Sequence, residues 1–151
     1  MKVDLDSPTP GPEESTLARY RPWLLAASAY NVAWGSLTVL VPTAVWDLIG
    51  APAPNYLGIW QVTGLFVLLF GLAYWWAARD PFRHRHLVVI GLIGKILGPI
   101  GFAWAVASGD LPVAVGLTIV TNDLIWLPAF IGFARDAARL SGGWRSLLAG
   151  N

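Results

Sequence analysis

Four stretches of this chain are apolar almost throughout, and short polar or proline-containing segments separate them. They cover residues 23–41, 56–78, 87–108 and 111–134. A transmembrane helix needs about 20 mostly apolar residues, which each stretch supplies. A soluble helix of this length carries a polar face, and these stretches show none. The pattern therefore predicts an all-α fold, a polytopic integral membrane four-helix bundle, and disfavours a soluble helical core.

The segments around these stretches predict shorter elements. Residues 1–18 are rich in proline and acidic side chains and predict a disordered N-terminal tail. Residues 43–49 follow the first stretch and predict a short amphipathic helix lying flat at the outer interface. Residues 135–151 predict an amphipathic tail on the cytoplasmic surface. The bundle itself is expected to cover residues 19–134.

Composition agrees with a membrane protein and removes several chemistries. Of the 151 residues, 56% are hydrophobic and 13% charged, whereas a soluble domain has roughly 25% charged residues. The absence of cysteine excludes disulfides, thiol catalysis and thiolate metal sites. His84 and His86 have no third ligand nearby, so they are a weak metal signal. We expect no metal, no cofactor and no nucleic-acid partner.

Positive charge is confined to alternate flanks of the apolar stretches. Nine of the ten Lys and Arg residues lie before the first stretch, between the second and third, or after the fourth. They are Lys2, Arg19, Arg21, Arg79, Arg83, Arg85, Arg135, Arg139 and Arg145. Cytoplasmic loops carry an excess of Lys and Arg, so both termini and the central loop are predicted to be cytoplasmic. Because this bias gives every copy the same orientation, any homo-oligomer is expected to be parallel.

The central loop contains a compact basic cluster. Arg79, Arg83 and Arg85 lie within a few residues of one another. Such a cluster can bind anionic lipid headgroups or a phosphate-bearing ligand. The favoured alternative is that these arginines only fix the topology.

Polar side chains interrupt three of the apolar stretches at depth. Asn31 lies in the first, Lys95 in the third, and Asn122 and Asp123 in the fourth. A charge at mid-membrane costs on the order of 3 kcal/mol, so we expect Lys95 to pair with Asp123. Helical side chains lean toward the N-terminus of their own helix, which points these two charges apart. Pairing then requires tilted helices, or a water, Asn31 or Asn122 between the charges.

This buried polar centre has two interpretations. One is a structural ion pair that fixes the order of the helices. The other is a functional centre, a proton relay or a site for the polar head of a lipid-soluble ligand, because intramembrane ionisable residues commonly mark such sites. The residues Tyr30, Trp34, Gln61 and Trp126 are candidates for lining a pocket there.

Glycines form stripes in the second and third stretches. The stripe in the second has steps of three and four, the spacing of a left-handed bundle seam. It consists of Gln61, Gly64, Leu68, Gly71 and Trp75. The stripe in the third stretch predicts a smooth face into which a neighbouring backbone can press. It consists of Gly91, Gly94, Gly98 and Gly101.

Part of this pattern resembles a known family. The residues that carry the likeness are Trp34, Gly35, Pro42, Gly50, Gln61, Gly64, Gly71, Gly94, Lys95 and Gly98. Across residues 30–133 the chain resembles the small four-helix bacterial inner-membrane proteins grouped around the DoxX-like family. The resemblance implies a four-helix bundle in the bacterial inner membrane, with respiratory or redox partners in some members. It supplies no catalytic residue for this chain.

Three functions remain open from the sequence. The first is an accessory or scaffold bundle that binds a partner protein or lipid. The alternative is a membrane enzyme or carrier that acts on an isoprenoid, quinone or other lipid-soluble substrate, with Lys95 and Asp123 at its polar centre. The third is a proton-coupled small transporter that works as a parallel oligomer. A lone Lys and a lone Asp do not identify a reaction.

Overall fold

The computed structural model describes residues 12–149, with side chains described from residue 15 onward. Within that range the chain is helical and contains no β-strand. The helices are α1 (Pro12–Ala18), α2 (Arg21–Leu40), α3 (Ala44–Ile49), α4 (Leu57–Arg79), α5 (Arg85–Ala107), α6 (Gly116–Asn122), α7 (Leu127–Leu140) and α8 (Trp144–Ala149). Short 3-10 turns, Val113–Val115 and Leu124–Trp126, precede α6 and α7. The predicted all-α class is confirmed for the described residues.

Three segments of the described chain are long and apolar enough to cross a membrane. They are Leu57–Arg79, Arg85–Ala107 and Val113–Leu140. Helix α2, which corresponds to the first predicted span, is not among them. It has membrane-spanning length, but Ser28, Asn31 and Thr38 lower its mean hydropathy. The chain is thus compatible with a membrane protein on the strength of three apolar segments.

The outward surfaces of α4 and α5 are apolar. Ile59 is 68% exposed, Leu97 60% and Trp104 77%. Soluble monomers rarely expose large contiguous apolar patches. This exposure is expected of a surface that faces lipid, and it argues against the alternative of a soluble helical core.

Helices α2 and α4 pack closely through glycine. A Cβ on Gly35 would lie 2.7 Å from the carbonyl oxygen of Gly64, and a Cβ on Gly64 would lie 2.8 Å from the Cβ of Thr38. Real Cβ atoms do not approach other atoms this closely, so the two backbones can meet only because these positions lack side chains. The hydroxyl of Ser28 donates a hydrogen bond across the contact to the carbonyl of Gly71 at 2.7 Å.

Basic segments that are distant in sequence meet at one end of the molecule, which we call the basic end. Arg21 Nη2 donates a hydrogen bond to the carbonyl of Arg79 at 3.4 Å. Arg85 Nε donates to the hydroxyl of Ser141 at 3.2 Å. The start of α2, the loop between α4 and α5, and the end of α7 therefore lie on the same side of the helices.

The main cluster of buried apolar side chains lies near this basic end. The rings of Tyr74 in α4 and Phe130 in α7 meet edge to face, with centroids 5.0 Å apart. Phe133 belongs to the same buried cluster, and Leu17 in α1 and Leu147 in α8 are both fully buried in it. The two short terminal helices are therefore anchored to the body by one apolar side chain each.

The terminal segments differ from the expected tails. Residues 1–18 were expected to be disordered, whereas Pro12–Ala18 forms α1, because burial of Leu17 holds it against the core. Residues 1–11 lie outside the described residues. Within the expected tail of residues 135–151, α7 continues to Leu140, and glycines with positive φ then turn the chain into α8. Residues 150–151 also lie outside the description.

The fourth apolar stretch forms two helices rather than the single helix expected over residues 111–134. Helix α6 ends at Asn122, and α7 begins at Leu127. Between them, Asp123 has φ −120° and ψ −62°, which departs from α-helical geometry. The short outer helix expected at residues 43–49 is present as α3 and ends at Gly50, which has φ 65°.

Candidate functional site

The interruption at Asp123 leaves a backbone carbonyl without its helical partner. In an α-helix the N–H of Trp126 would donate to the carbonyl of Asn122. Here it donates to the carbonyl of Asp123 at 3.2 Å. The indole N–H of Trp126 donates to the carbonyl of Thr121 at 2.9 Å. The carbonyl of Asn122 is thereby left to accept a hydrogen bond from a side chain.

That side chain is Lys95. Its Nζ donates to the carbonyl of Asn122 at 2.5 Å and lies 3.8 Å from Asp123 Oδ1. The side chains of Lys95 and Asp123 are only 4% and 9% exposed. The ammonium also lies 5.8 Å from the ring centroid of Tyr74 and 5.5 Å from that of Phe130, within range for a cation–π attraction. The positive charge of the lysine is thus stabilised by a carboxylate, a carbonyl dipole and two aromatic rings.

The structure pairs the two charges that were expected to lean apart. We expected pairing to need tilted helices or an intermediate group. The broken helix supplies both a close approach and an intermediate, because the carbonyl of Asn122 stands beside the carboxylate of Asp123. The Nδ2 of Asn122 also donates to Asp123 Oδ1 at 3.1 Å. Lys95, Asn122 and Asp123 therefore form one connected polar centre.

Buried amide oxygens beside this centre lack partners. Asn31 is 2% exposed, and its Oδ1 accepts no hydrogen bond from any group in the described part of the chain. The same holds for Asn122 Oδ1 with respect to residues 12–149. A buried polar atom normally has a hydrogen-bond partner. Both asparagines line a cavity beside the polar centre, so the unpaired acceptors adjoin open space.

A cavity of about 470 Å³ lies beside the polar centre, between α2, α4, α5 and the α6 region. Lys95 and Asp123 form part of its wall. The remaining wall is mostly apolar and rich in aromatic rings. Its aromatic members are Trp34, Trp60, Phe66, Phe70, Tyr74 and Phe102. This combination of a concave apolar wall with a few polar groups is typical of small-molecule sites.

The glycine stripe of α5 faces this cavity. Gly91, Gly94, Gly98 and Gly101 all line it. No described atom lies within 4 Å of where a Cβ would stand on Gly94 or Gly101, and a Cβ on Gly98 would lie 2.9 Å from Asp123 Oδ2. The expectation that a neighbouring backbone presses into this stripe is therefore wrong within this chain. Its glycines leave room for the Tyr74 side chain beside Gly91, for the Asp123 carboxylate beside Gly98, and for the cavity.

A second cavity of about 590 Å³ adjoins the first. It is bounded by the segment before α4 and by the loop between α5 and α6, at the end of the molecule away from the basic end. Residues common to both cavities are Trp60, Thr63, Leu111 and Val115. Asp110 also lines this second cavity. The shared residues show that the two cavities are neighbours.

One of the four residues expected to line a pocket does so, and the other three lie elsewhere. Trp34 lines the first cavity, whereas Tyr30, Gln61 and Trp126 do not. Tyr30 donates a hydrogen bond to Thr121 Oγ1 at 2.8 Å, and its ring packs against Trp126 with centroids 5.8 Å apart. Gln61 Nε2 donates to the carbonyl of Val39 at 2.8 Å. These three residues hold helices together near the cavity.

Sequence reasoning missed Tyr74, Phe70 and Thr118, which line the cavity. Tyr74 stands one turn after Phe70 on α4. An aromatic face on that helix was available in the sequence as a signal. The helix register that turns it toward Lys95 follows only from the packing of α4 against α5 and α7.

The expected headgroup-binding arginines lie at the basic end. Arg79 is exposed and stacks over the ring of Trp75, with its guanidinium carbon 4.8 Å from the centroid. Arg85 is partly buried and donates to Ser141 as well as to the carbonyl of Phe82. Arg83 is exposed. Arg85 thus has a structural role, while Arg79 and Arg83 present charge at the surface.

A polar latch joins the turn between α1 and α2 to α7 at the same end. Arg19 forms an ion pair with Asp136, and the hydroxyl of Tyr20 donates a hydrogen bond to the same carboxylate at 2.8 Å. Burial, followed by the hydrogen bond to Asp136, raises the pKa of Tyr20 above its ordinary value. The latch satisfies Asp136, which is largely buried.

Comparisons of the chain with known protein families, with curated proteins and with solved structures found no match. The resemblance to the DoxX-like family stays a prediction from the sequence. Function therefore has to be argued from the site itself.

Proposed function

We propose that this chain is a small integral membrane protein that binds a lipid-soluble molecule in the cavity beside Lys95 and Asp123. One observation carries the proposal: the buried ion pair forms part of the wall of an aromatic-lined cavity of about 470 Å³. An ion pair that only orders helices needs no adjoining space, and close packing would be the normal outcome. The volume falls within the range of about 300–1,000 Å³ common for small-molecule sites.

The proposal includes a four-helix arrangement in the membrane. Helix α2 is taken as the fourth spanning helix, because it packs along α4 and its polar side chains face α4 and the cavity. The positive-inside rule puts the basic end, with both termini, in the cytoplasm. The resemblance to DoxX-like proteins adds the bacterial inner membrane as the location.

The roles of the site follow from its chemistry. The aromatic wall would hold the apolar body of the ligand, and the polar centre would hold its head. An enzyme and a carrier would both need such a site, so binding is the activity that we propose. No reaction is assigned to Lys95 or Asp123.

Native mass spectrometry of protein released gently from membranes tests the proposal. We expect a recurrent small molecule bound to the unaltered protein and lost from the double variant Lys95→Met/Asp123→Asn. The double variant removes both charges, so it avoids leaving one of them unpaired in the interior.

The matched control is Leu97→Met, which places the same new side chain on an exposed position of α5. This control should keep the bound molecule. Thermal unfolding of all three proteins establishes that loss of the molecule does not reflect loss of the fold. Unaltered protein that is consistently empty, or equal retention by the folded double variant, would contradict the proposal.

The open side of α5 favours a second candidate, an accessory bundle that binds a partner helix or a second copy of the chain. Gly94 and Gly101 are exposed there, and small residues allow close approach of another helix. A co-purifying chain that persists in Lys95→Met/Asp123→Asn but is lost in Gly101→Leu would support this candidate. Retention of the co-purifying chain in both variants would count against this candidate.

A further inference from the structure

We infer that the head group recognised in this cavity is an uncharged hydroxyl, that of a lipid-soluble alcohol or phenol. The inference rests on the proposed binding function and adds the chemical class of the ligand. It starts from hydrogen-bonding groups of the cavity wall that are left over after every contact within the described chain has been made.

Among the described residues, Trp60 Nε1 is an unpaired donor in the cavity wall, and the unpaired atoms beside the polar centre are acceptors. Asn31 Oδ1 and Asn122 Oδ1 are buried, line the cavity, and receive no hydrogen bond from the residues that the structure describes. An unsatisfied buried acceptor costs free energy that a donor from a ligand would recover. The head group should therefore donate a hydrogen bond.

Charge excludes the ionic donors and acceptors. An ammonium head would stand beside the Lys95 ammonium, and like charges in a buried site repel strongly. A carboxylate or phosphate head would stand beside Asp123, whose negative charge already neutralises Lys95 at 3.8 Å. Either ion would leave the site with an uncompensated buried charge. A neutral head remains.

Among neutral head groups, a hydroxyl matches the site because it can both accept and donate a hydrogen bond. The Lys95 ammonium has three N–H donors, of which one is used by the carbonyl of Asn122 and another is directed at Asp123. The third is available to an oxygen of the ligand. A hydroxyl accepts this bond and donates its own proton to an asparagine oxygen, whereas an ether or ketone would face those oxygens with lone pairs.

The cavity wall indicates a flat apolar body for this ligand. Trp34 and Trp60 meet edge to face with ring centroids 5.5 Å apart, and both line the cavity. Aromatic rings pack well against other flat rings in offset or edge-on geometry. A fused-ring phenol is therefore a suitable probe.

The test compares 2-naphthol with 2-methoxynaphthalene, which has a similar shape but cannot donate a hydrogen bond. Binding to the purified full-length protein in detergent is measured by isothermal titration calorimetry, with protein-free micelles subtracted. We expect 2-naphthol to bind about tenfold more tightly, the difference that one additional hydrogen bond in a buried site supplies. Asn31→Leu should remove this preference, leaving the two probes with similar affinity.

Thr38→Val is the matched control. Thr38 is also on α2, is fully buried, and has an Oγ1 without a partner among the described residues, but it faces Gly64 rather than the cavity. Its replacement should leave the preference for 2-naphthol intact. Because each substitution removes an unsatisfied polar atom, each should raise the unfolding temperature, by about 2–4 °C. A purely structural Asn31 would instead make Asn31→Leu less stable.

The outcomes separate the two proposals. Equal affinity for the two probes in the unaltered protein, with both lost in Lys95→Met/Asp123→Asn, overturns the hydroxyl inference and leaves the binding function standing. Failure of both probes to bind overturns the hydroxyl inference for this cavity. In that event the binding function is judged separately, by whether a native molecule is retained in the mass spectrometry experiment. If Asn31→Leu does not fold, the comparison of probes on the unaltered protein still decides.

Discussion

A Cβ on Gly64 of α4 would lie 2.8 Å from the Cβ of Thr38 on α2, whereas a Cβ on Gly94 of α5 would meet no described atom within 4 Å. Both glycines belong to stripes with the same three- and four-residue steps. On α4 the space is filled by the neighbouring helix. On α5 the space beside Gly94 and Gly101 remains open as the wall of a cavity, while Tyr74 and Asp123 fill the space beside Gly91 and Gly98.

This difference shows that a glycine stripe indicates free space beside a helix backbone. It does not indicate whether another helix, a side chain or a cavity occupies that space. Where a second helix uses it, as at the α2–α4 contact, glycine supports the fold. Where a charged side chain and a cavity use it, as beside Lys95 and Asp123, glycine supports a site. Substitutions in the two stripes should therefore fail in different ways.

Gly64→Leu is expected to have one of the two largest effects. The new side chain would overlap Thr38 and the backbone of α2, so we expect destabilisation of about 3 kcal/mol or more. Unfolding temperature and yield in detergent measure this. The matched control, Gly94→Leu on α5, should fold nearly as well as the unaltered protein. Equal loss of stability in both variants would contradict the conclusion that the α4 stripe is covered by a helix while Gly94 on α5 faces open space.

The next effect concerns the charge held on the α5 side. Lys95→Met leaves Asp123 buried without its cation, so we expect it to cost about 3–5 kcal/mol. Adding Asp123→Asn should restore most of that loss, since no unpaired charge remains. Chemical unfolding of the single and double variants gives the coupling energy. Additive losses would show that the pair contributes little to this face of the protein.

The third expected effect is a loss of ligand affinity when a side chain on α5 fills part of the cavity. Gly94→Leu should place apolar atoms where the ligand body would lie, and we expect affinity for a bound probe to fall about tenfold, or about 1.4 kcal/mol. Titration of 2-naphthol into the variant measures this. Leu97→Met, on the exposed side of the same helix, should bind as the unaltered protein does. Undiminished affinity in Gly94→Leu would place the bound molecule elsewhere.

The smallest effect is expected for Gly98→Ala. Its Cβ would lie 2.9 Å from Asp123 Oδ2, so the carboxylate must shift slightly. We expect a cost of about 1 kcal/mol, measured as a lower unfolding temperature. The same substitution at Gly101, where no described atom lies within 4 Å of the new Cβ, should leave stability unchanged. A larger effect at Gly101 would mean that another chain covers this face.

The polar centre of the candidate site was predictable from local sequence, whereas most of the cavity wall was not. Two charges within apolar stretches are costly, so the pairing of Lys95 with Asp123 followed from free energy alone. The same reasoning singled out Asn31 and Asn122 as polar residues at depth. It did not select Tyr74, because an aromatic residue in an apolar helix is ordinary until its neighbours are known.

The helical class, the apolar segments and the segregation of positive charge follow from the amino-acid sequence alone. These properties depend on composition and on periodicity over neighbouring residues. The packing of the helices established that the last apolar stretch breaks at Asp123, that the carbonyl of Asn122 accepts from Lys95, and that the α5 glycines face a cavity. The physical reason is that each depends on which helix supplies the opposing surface. A backbone break is favourable only where a distant side chain satisfies the group that it frees.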